Sequence, residues 1–491
     1  MVLSIEEIGR FIDEDRTLDR KRFAREGQRY YEGDHDIKHY RLWYYNADGV
    51  LVEDKTRSNI KIAHPFFTEL VDQQVQYMLS GDEPFMQSDL PELQDQLDAY
   101  FNDNEGFTAE LYDCLTDTIV KGWGYMFAYK DSDDRLAFQN ADTLGVVEVR
   151  AKDTDDGCEY VIYHYVDRIG KNRQKITRIQ VWSDTETRFY VRDGEGKITP
   201  DESTPLNPRP HVLYVENGEM YYEGFGYIPF FRLDNCKHRF NGLKPIKGLI
   251  DDYDLMSCGL SNNLQDVSEA LYVVSGFQGD NLDELITNLK TKKTIGVDSG
   301  GSVDIKTIDI PYEARRAKLD LDETNIYRFG MGFNSAQVGD GNITNVVIKS
   351  RYALLDLKCN KLEIRLKRFL RQMLRPVLAE INERDGTDYR QSDVRIRFER
   401  EVMTNTADNA AIRKTDAETE QIQINTLLNL AQTLDDETLA KRICEVLDLD
   451  WERVADNLPD PDAAANAAYD ALQGVTDGQM AGAGAEEPSG Q

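Results

Sequence analysis

The chain has 491 residues, long enough for two to four domains with cores of their own, so it does not need disulfides to stay folded. Its 89 acidic residues outnumber 58 basic ones, and the net charge of -31 opposes tight wrapping of nucleic acid, because phosphate neutralisation by Lys and Arg supplies most non-specific affinity. A surface past which DNA slides without sticking stays compatible with that charge, and abundant aspartate beside sparse lysine also fits a high-salt host.

The six cysteines are scattered without a C-x-x-C pair, so neither a zinc site nor a disulfide framework is expected, and a reducing setting fits best. The amino terminus has neither a basic nor an apolar export region, and no stretch is apolar enough to span a membrane.

Residues 1–60 read as short, charged helices crowded with Tyr30, Tyr31, Tyr40, Trp43, Tyr44 and Tyr45. Aromatics at this density cover another domain or subunit. His35 and His39 have the i, i+4 spacing of a helical metal pair, but Gly33 and the missing third ligand favour a solvated loop. Helices are predicted over Ile62–Leu79, Asp89–Phe101 and Thr108–Val120. Period two then takes over in Tyr125–Tyr129, Gly145–Val149, Tyr160–Val166, Ile176–Trp182, Thr187–Val191 and Val212–Val215, a mostly antiparallel sheet beside helices. Val191–Glu202 carries part of an EF-hand calcium pattern, but Val191 replaces the leading Asp and Pro200 intrudes, so a hairpin turn is expected.

The sheet is expected to end at Gly226–Asn235, and a helix opens at Pro245 with an apolar face of Ile246, Ile250, Tyr253, Met256, Leu260, Leu264, Val267 and Leu271. A small αβ insert follows: strand Leu271–Phe277, helix Leu282–Lys290, strand Val303–Ile310. After it comes a helix over Tyr312–Tyr327. Two long helices bracketing a small unit make a stalk with a tip. From Asn334 a polar loop with Gly339 and Gly341 leads into a long helix. One face of that helix is Leu355, Cys359, Leu362, Leu366, Phe369, Met373, Val377 and Ile381; a second, basic stripe is Lys358, Lys361, Arg365, Arg368, Arg371 and Arg375. Val394–Phe398 reads as a strand that rejoins the sheet. Helices are expected over Asn405–Leu434 and Glu437–Leu447, and beyond Pro459 a disordered tail.

No catalytic constellation emerges. There is no G-x-x-x-x-G-K-[ST], G-x-S-x-G or H-E-x-x-H, and Gly330-Met-Gly332 lacks the context of a dinucleotide site. Asp251 and Asp252 diverge by about 100 degrees on their helix, a poor acid and base pair. No catalytic residue, cofactor or metal is assigned.

In this order of elements the chain resembles the portal proteins of tailed double-stranded-DNA viruses, particularly the long-tailed phage type, over roughly residues 25–435. The resemblance rests on Lys61–Asp72 with Tyr77–Gly81 and Pro84, on Ile119–Tyr125, on Gly226–Asn235 with Leu249–Tyr253 and Ser257, and on Asn334–Leu357. It implies an α+β, portal-type architecture. A wing spans 1–240, stem helix one 241–269, a clip 270–310, stem helix two 311–333 and a channel loop 334–350. A long wing helix and returning strand span 351–404, a helical crown 405–458 and a tail 459–491.

The resemblance further implies a ring of identical copies, generally twelve, at the capsid vertex of the virion, assembled in the host cytoplasm. Double-stranded DNA would pass through it during packaging and ejection. Its implied partners are the terminase large subunit, the major capsid and scaffolding proteins and a head-tail connector (adaptor) protein, with no membrane. Gln337, Gly339, Gly341, Asn342, Thr344, Asn345 and Lys349 would then form the DNA-facing loop, and the basic stripe would face a neighbouring subunit or DNA. Asp280, Asn281, Asp283, Glu284 and Lys290 would belong to the clip that docks terminase or connector. Two other readings stay open: a virion structural protein without a channel, and a nucleic-acid-processing enzyme.

Overall fold

A computed structural model describes residues 2–334 and 345–400 apart from short stretches at 47, 56, 133, 153–156, 171–172, 217–218, 267–270, 278–295 and 307–310, together with isolated positions between 414 and 444. Contacts divide the chain into two units, Met1–Gly341 with Lys349–Val402, and Asn342–Ile348 with Met403–Gln491. The expected clip helix, most of the crown and the tail lie outside the described residues.

Helix α1 (Ile5–Thr17) starts at a capping box, in which Ser4 accepts from the Glu7 amide and Glu7 accepts from the Ser4 amide. Helix α2 (Asp19–Tyr31) and a hairpin of β1 (Trp43–Tyr45) and β2 (Leu51–Glu53) follow. Next come α3 (Phe66–Met78), β3 (Met86–Gln87) and α4 (Pro91–Leu97), after which a π-turn over Asp98–Asn102 ends the helix expected to reach Phe101. Helix α5 (Glu105–Lys121) stops at Gly122, whose φ of 99° is left-handed and where a Cβ would stand 2.3 Å from the Arg239 carbonyl, so only glycine fits.

The strands form two antiparallel sheets where one was expected. Strand β4 (Trp123–Lys130) is central to the first, flanked by β5 (Leu136–Ala141) and, across the chain, by a strand at Phe230–Asp234. The second runs β6 (Val146–Val149), β7 (Tyr160–Ile169), β8 (Gln174–Trp182), β9 (Glu186–Arg192) and β10 (Ile198–Pro200), with β11 (Arg209–Pro210) also on β9. The EF-hand-like segment is the β9–β10 hairpin. Strands β12 (Val212–Glu216) and β13 (Glu219–Glu223) make a separate hairpin, and Phe230–Asp234 is β14. Gly226–Asn235 therefore returns to the sheet instead of ending it, with Phe231 opposite Met126. Strand β5, poor in β-branched residues, has weak strand propensity, which pairing with β4 overrides.

Helix α6 (Lys247–Asp266) leads to β15 (Leu271–Phe277), paired with β16 (Val297–Lys306), which includes the described part of the expected strand, Val303–Lys306, and begins earlier, at Val297. A bulge between Ser275 and Phe277, with Gly276 and Gly300 at positive φ, lets the glycine-rich Val297–Gly301 run pair although it reads as a turn. Helices α7 (Tyr312–Gly330) and α8 (Asn345–Asp385) follow. The last strand, β17 (Arg395–Ile396), pairs with β3 and not with either large sheet.

The main core is built on α8: Leu355, Cys359, Leu362, Leu366, Phe369, Met373, Val377 and Ile381 are all buried, packed with α3, α5 and the β4 sheet. The α6 stripe is less complete. Ile246 and Ile250 are buried, Leu264 is exposed, and the line continues instead through Asp254 and Cys258. Tertiary contact, not apolar content, chooses the buried face there.

A charged cluster joins the two sheets. Glu148 of β6 accepts from the Tyr125 hydroxyl at 3.0 Å and from Arg150 at 2.8 Å, pairs with Arg232 of β14, and lies 3.7 Å from Arg239. Burial pushes its pKa up, but the three guanidiniums outweigh it and hold it at about 2. A depressed carboxylate pKa stabilises the fold above the unfolded value of 4.5, and that contribution is lost as pH falls toward about 2. Glu148→Gln is therefore expected to lower unfolding free energy at pH 7 by about 3 kcal/mol, as when one partner of a buried pair is removed. Urea melts should show that deficit shrinking toward the acid end. A deficit unchanged from neutral pH down to that end would refute the assignment.

Candidate channel loop and partner surfaces

Helix α6 is held to the amino-terminal segment by buried acids. Asp254 is fully buried; one oxygen lies 2.7 Å from His35 Nδ1, and the other accepts from the His64 amide at 3.0 Å and lies 2.7 Å from His64 Nδ1. The second nitrogen of His35 faces the Tyr30 carbonyl at 3.2 Å. Both of its nitrogens face acceptors. Burial pushes Asp254 up, but bonds from His35 and His64 outweigh it and hold it below the ordinary carboxylate value. One turn earlier, Asp251 accepts from the Tyr30 hydroxyl, and Lys247 bridges Asp251 and Asp36 at 2.7 Å each. His35 is thus no solvated loop residue: it is a buried clamp, while exposed His39 turns to Asp34. On the other side of α6, Lys318 of α7 donates to Asp252 at 2.6 Å and to Asp322.

The α7–α8 junction approaches α3 closely. Gly330 and Gly332 pack on Leu70; a Cβ on Gly332 would meet the Leu70 side chain at 2.2 Å and Gln73 Oε1 at 2.9 Å. Gln73 donates to the Phe333 carbonyl at 2.9 Å and accepts its amide at 3.3 Å, and Asn334 donates to Glu323 at 2.5 Å. The Phe333 ring lies 4.6 Å from Tyr352 of α8, which also packs on Tyr77. Phe333 and Tyr352 thus pack together against α3. Gln337, Gly339, Gly341, Asn342 and Thr344 lie outside the described residues. Asn345 and Lys349 stand in the first turns of α8, not in a loop, because no Gly or Pro interrupts the run after Asn345.

The basic stripe divides. Half-buried Lys358 donates to the Gly330 carbonyl at 3.0 Å, and burial pushes its pKa down to about 8. It ties α8 to the end of α7 instead of facing outward. Lys361, Arg368, Arg371 and Arg375 are exposed and Arg365 is half-buried; none of the five has a carboxylate partner among the described residues. Ile364, between them, is 73% exposed. Lys361, Ile364, Arg365 and Arg368 wall a groove of about 1380 Å³ whose opposite side includes Glu159, Tyr227 and Phe230. The far end of α8 is fixed by Glu380, which accepts from Tyr100 at 2.5 Å and Lys130 at 3.1 Å. Asp280, Asn281, Asp283, Glu284 and Lys290 lie outside the described residues. Sequence reading missed Asp254, His64 and Gln73; the signal for Asp254 was an acid continuing the Ile246, Ile250 spacing.

The sequence model of the family described as "Phage portal protein, SPP1 Gp6-like" matches residues 10–448. A protein of Bacillus phage SPP1 named "Portal protein" is 27% identical over 349 residues, 70% of this chain and 67% of that one. Another of that name, from Clostridium phage phiCD119, is 24% identical over 404 residues, 77% of this chain and 85% of that one. The solved structure "Neck of native GTA particle computed with C12 symmetry" is similar at a TM-score of 0.38 and 11% identity, over 79% of this chain and 90% of that one.

The glycine contact gives a direct test. Gly332→Ala forces a methyl against Leu70 and Gln73 and is expected to lower stability by about 1–3 kcal/mol, the usual range for overpacking. Denaturant melts measure this, and a Leu70→Ala partner change should recover part of the loss. A wild-type melt for Gly332→Ala alone would show that the packing there is loose.

Proposed function

The chain belongs to the SPP1 Gp6-like family of phage portal proteins, and from that premise we propose that its copies close into a ring through which double-stranded DNA is packaged and ejected. In this reading residues 1–240 with α8 form the wing, α6 and α7 the stem, the β15–β16 unit the clip, and 405–458 the crown. The clip, with Asp280, Asn281, Asp283, Glu284 and Lys290, docks the terminase motor and later the connector, and the motor supplies the ATP hydrolysis.

The observation that supports the loop's part in this is the contact of Phe333 with Tyr352, whose rings are 4.6 Å apart and which flank in sequence the polar segment with Gly339 and Gly341. In this reading Gln337, Asn342 and Thr344 brush a moving duplex without gripping it. An acidic wall around it repels the phosphate backbone and keeps the sliding barrier low. The five cations of α8 that have no carboxylate partner among the described residues are assigned to acids of the neighbouring subunit. The second reading, that they face DNA, draws on the same lack of partners.

Negative-stain microscopy of the purified protein tests the ring: particles with a central hole are expected, and solitary globules would refute it. Deleting Gly339–Thr344 should leave rings intact and reduce packaged DNA; normal packaging would remove the loop from the mechanism. Arg365→Glu with Arg368→Glu, or high salt with the wild type, should loosen rings if the stripe meets a neighbour. Rings unaffected by either would assign the stripe to DNA.

A further inference from the structure

The β1–β2 hairpin is out of place on a free surface. Two strands alone are marginal in water, and this pair joins no other described strand. Trp43 is 52% exposed and Tyr45 72%, and Tyr44, Val50, Leu51 and Val52 are exposed as well. Trp43 and Tyr45 are two apart and share a face, on which Leu51 pairs opposite Tyr45. The indole N–H of Trp43 has no acceptor, and Asp48 beside the turn no cation, among the described residues.

Elsewhere on the same unit, between the two sheets, lies a cavity of about 810 Å³ lined by Phe127, Tyr163, Tyr165, Trp182, Phe189 and Phe225, within the ~300–1,000 Å³ range of sites that enclose a ligand. His211 also lines it, its Nε2 buried with the Glu186 backbone beside it. His211 Nδ1 accepts from the Phe225 amide at 3.4 Å, which leaves the ring proton on Nε2 as a donor. Burial pushes the His211 pKa down to about 4, in keeping with a neutral ring. At the rim, exposed Arg209 has no carboxylate partner among the described residues.

We propose that the hairpin of one copy seats Trp43 and Tyr45 in the aromatic cavity of the next copy, with Asp48 against Arg209. The chemistry is complementary: two exposed aromatic rings for an aromatic cavity, and the exposed Asp48 carboxylate for the Arg209 guanidinium. Buried aromatic anchors in a pocket are the usual energetic centre of an interface. Knob and socket are different patches of one chain, so the contact is heterologous and propagates head to tail, which is how a ring closes. This rests on the ring reading above and names the contact that joins its subunits.

The test uses the full chain. Trp43→Ala/Tyr45→Ala should abolish rings and leave a monomer with wild-type thermal unfolding, since the hairpin contributes nothing to the core. Tyr165→Glu/Arg209→Glu should do the same from the socket side. Mixing the two variants should give dimers and nothing larger, because one intact knob meets one intact socket and the chain of contacts stops. Asp48→Arg combined with Arg209→Glu should regain rings that either change alone weakens. If wild type forms rings and Trp43→Ala/Tyr45→Ala forms them equally well, this inference falls and the ring reading stands. If wild type itself stays monomeric, the ring reading falls and takes this contact with it.

Discussion

The structure depends first on the apolar seam of α8. Its 41 residues span about 60 Å, and the seam from Leu355 to Ile381 stays buried across seven turns. Each such side chain contributes roughly 1.5–3 kcal/mol by burial, which no surface pairing in the chain matches. Other elements are placed by reference to it. Lys358 fixes the end of α7, Arg400 brings the closing segment onto Asp356 and Glu363, and Glu380 meets β4 and β5. Even Pro376 is carried inside the helix, its lost hydrogen bond offset by packing on both sides at Met373 and Val377.

Where α6 leaves this core, charge replaces apolar contact. Asp254 takes the position that the Ile246, Ile250 series assigns to a hydrophobe, and two imidazoles and a backbone amide satisfy it. Such a site adds little stability over a well-packed leucine, but it accepts one geometry only. The amino-terminal segment, α3 and α6 are thereby fixed in register beside the place where α7 meets α6 through Lys318.

The sequence made α8 legible because its period is long and uninterrupted: every residue read onto its apolar face is buried. It misled over α6, since Leu264 has the right spacing but nothing packs on it, and over His35, whose partner lies 219 residues away. Strand β14 and the β3–β17 pair were hidden for the same reason, their partners being remote in the chain. Gly330-Met-Gly332 shows the converse. Its glycines resembled a fragment of a nucleotide motif, and their cause is the close approach of Leu70, which no local pattern reveals. The crowded aromatics of the first 60 residues separate in the same way: Tyr30 fills the core, while Trp43 to Tyr45 face outward.

A chain of net charge -31 that assembles with itself must overcome a long-range repulsion between copies. That repulsion is screened beyond about 8 Å at physiological ionic strength, so it governs approach more than contact. In the proposed ring, contact would be decided locally, where the α8 stripe offers cations without a carboxylate partner among the described residues and the β1–β2 hairpin offers exposed aromatics. The two features would act at different ranges, the first steering an acidic neighbour and weakening with salt, the second supplying dehydrated contact that salt does not weaken.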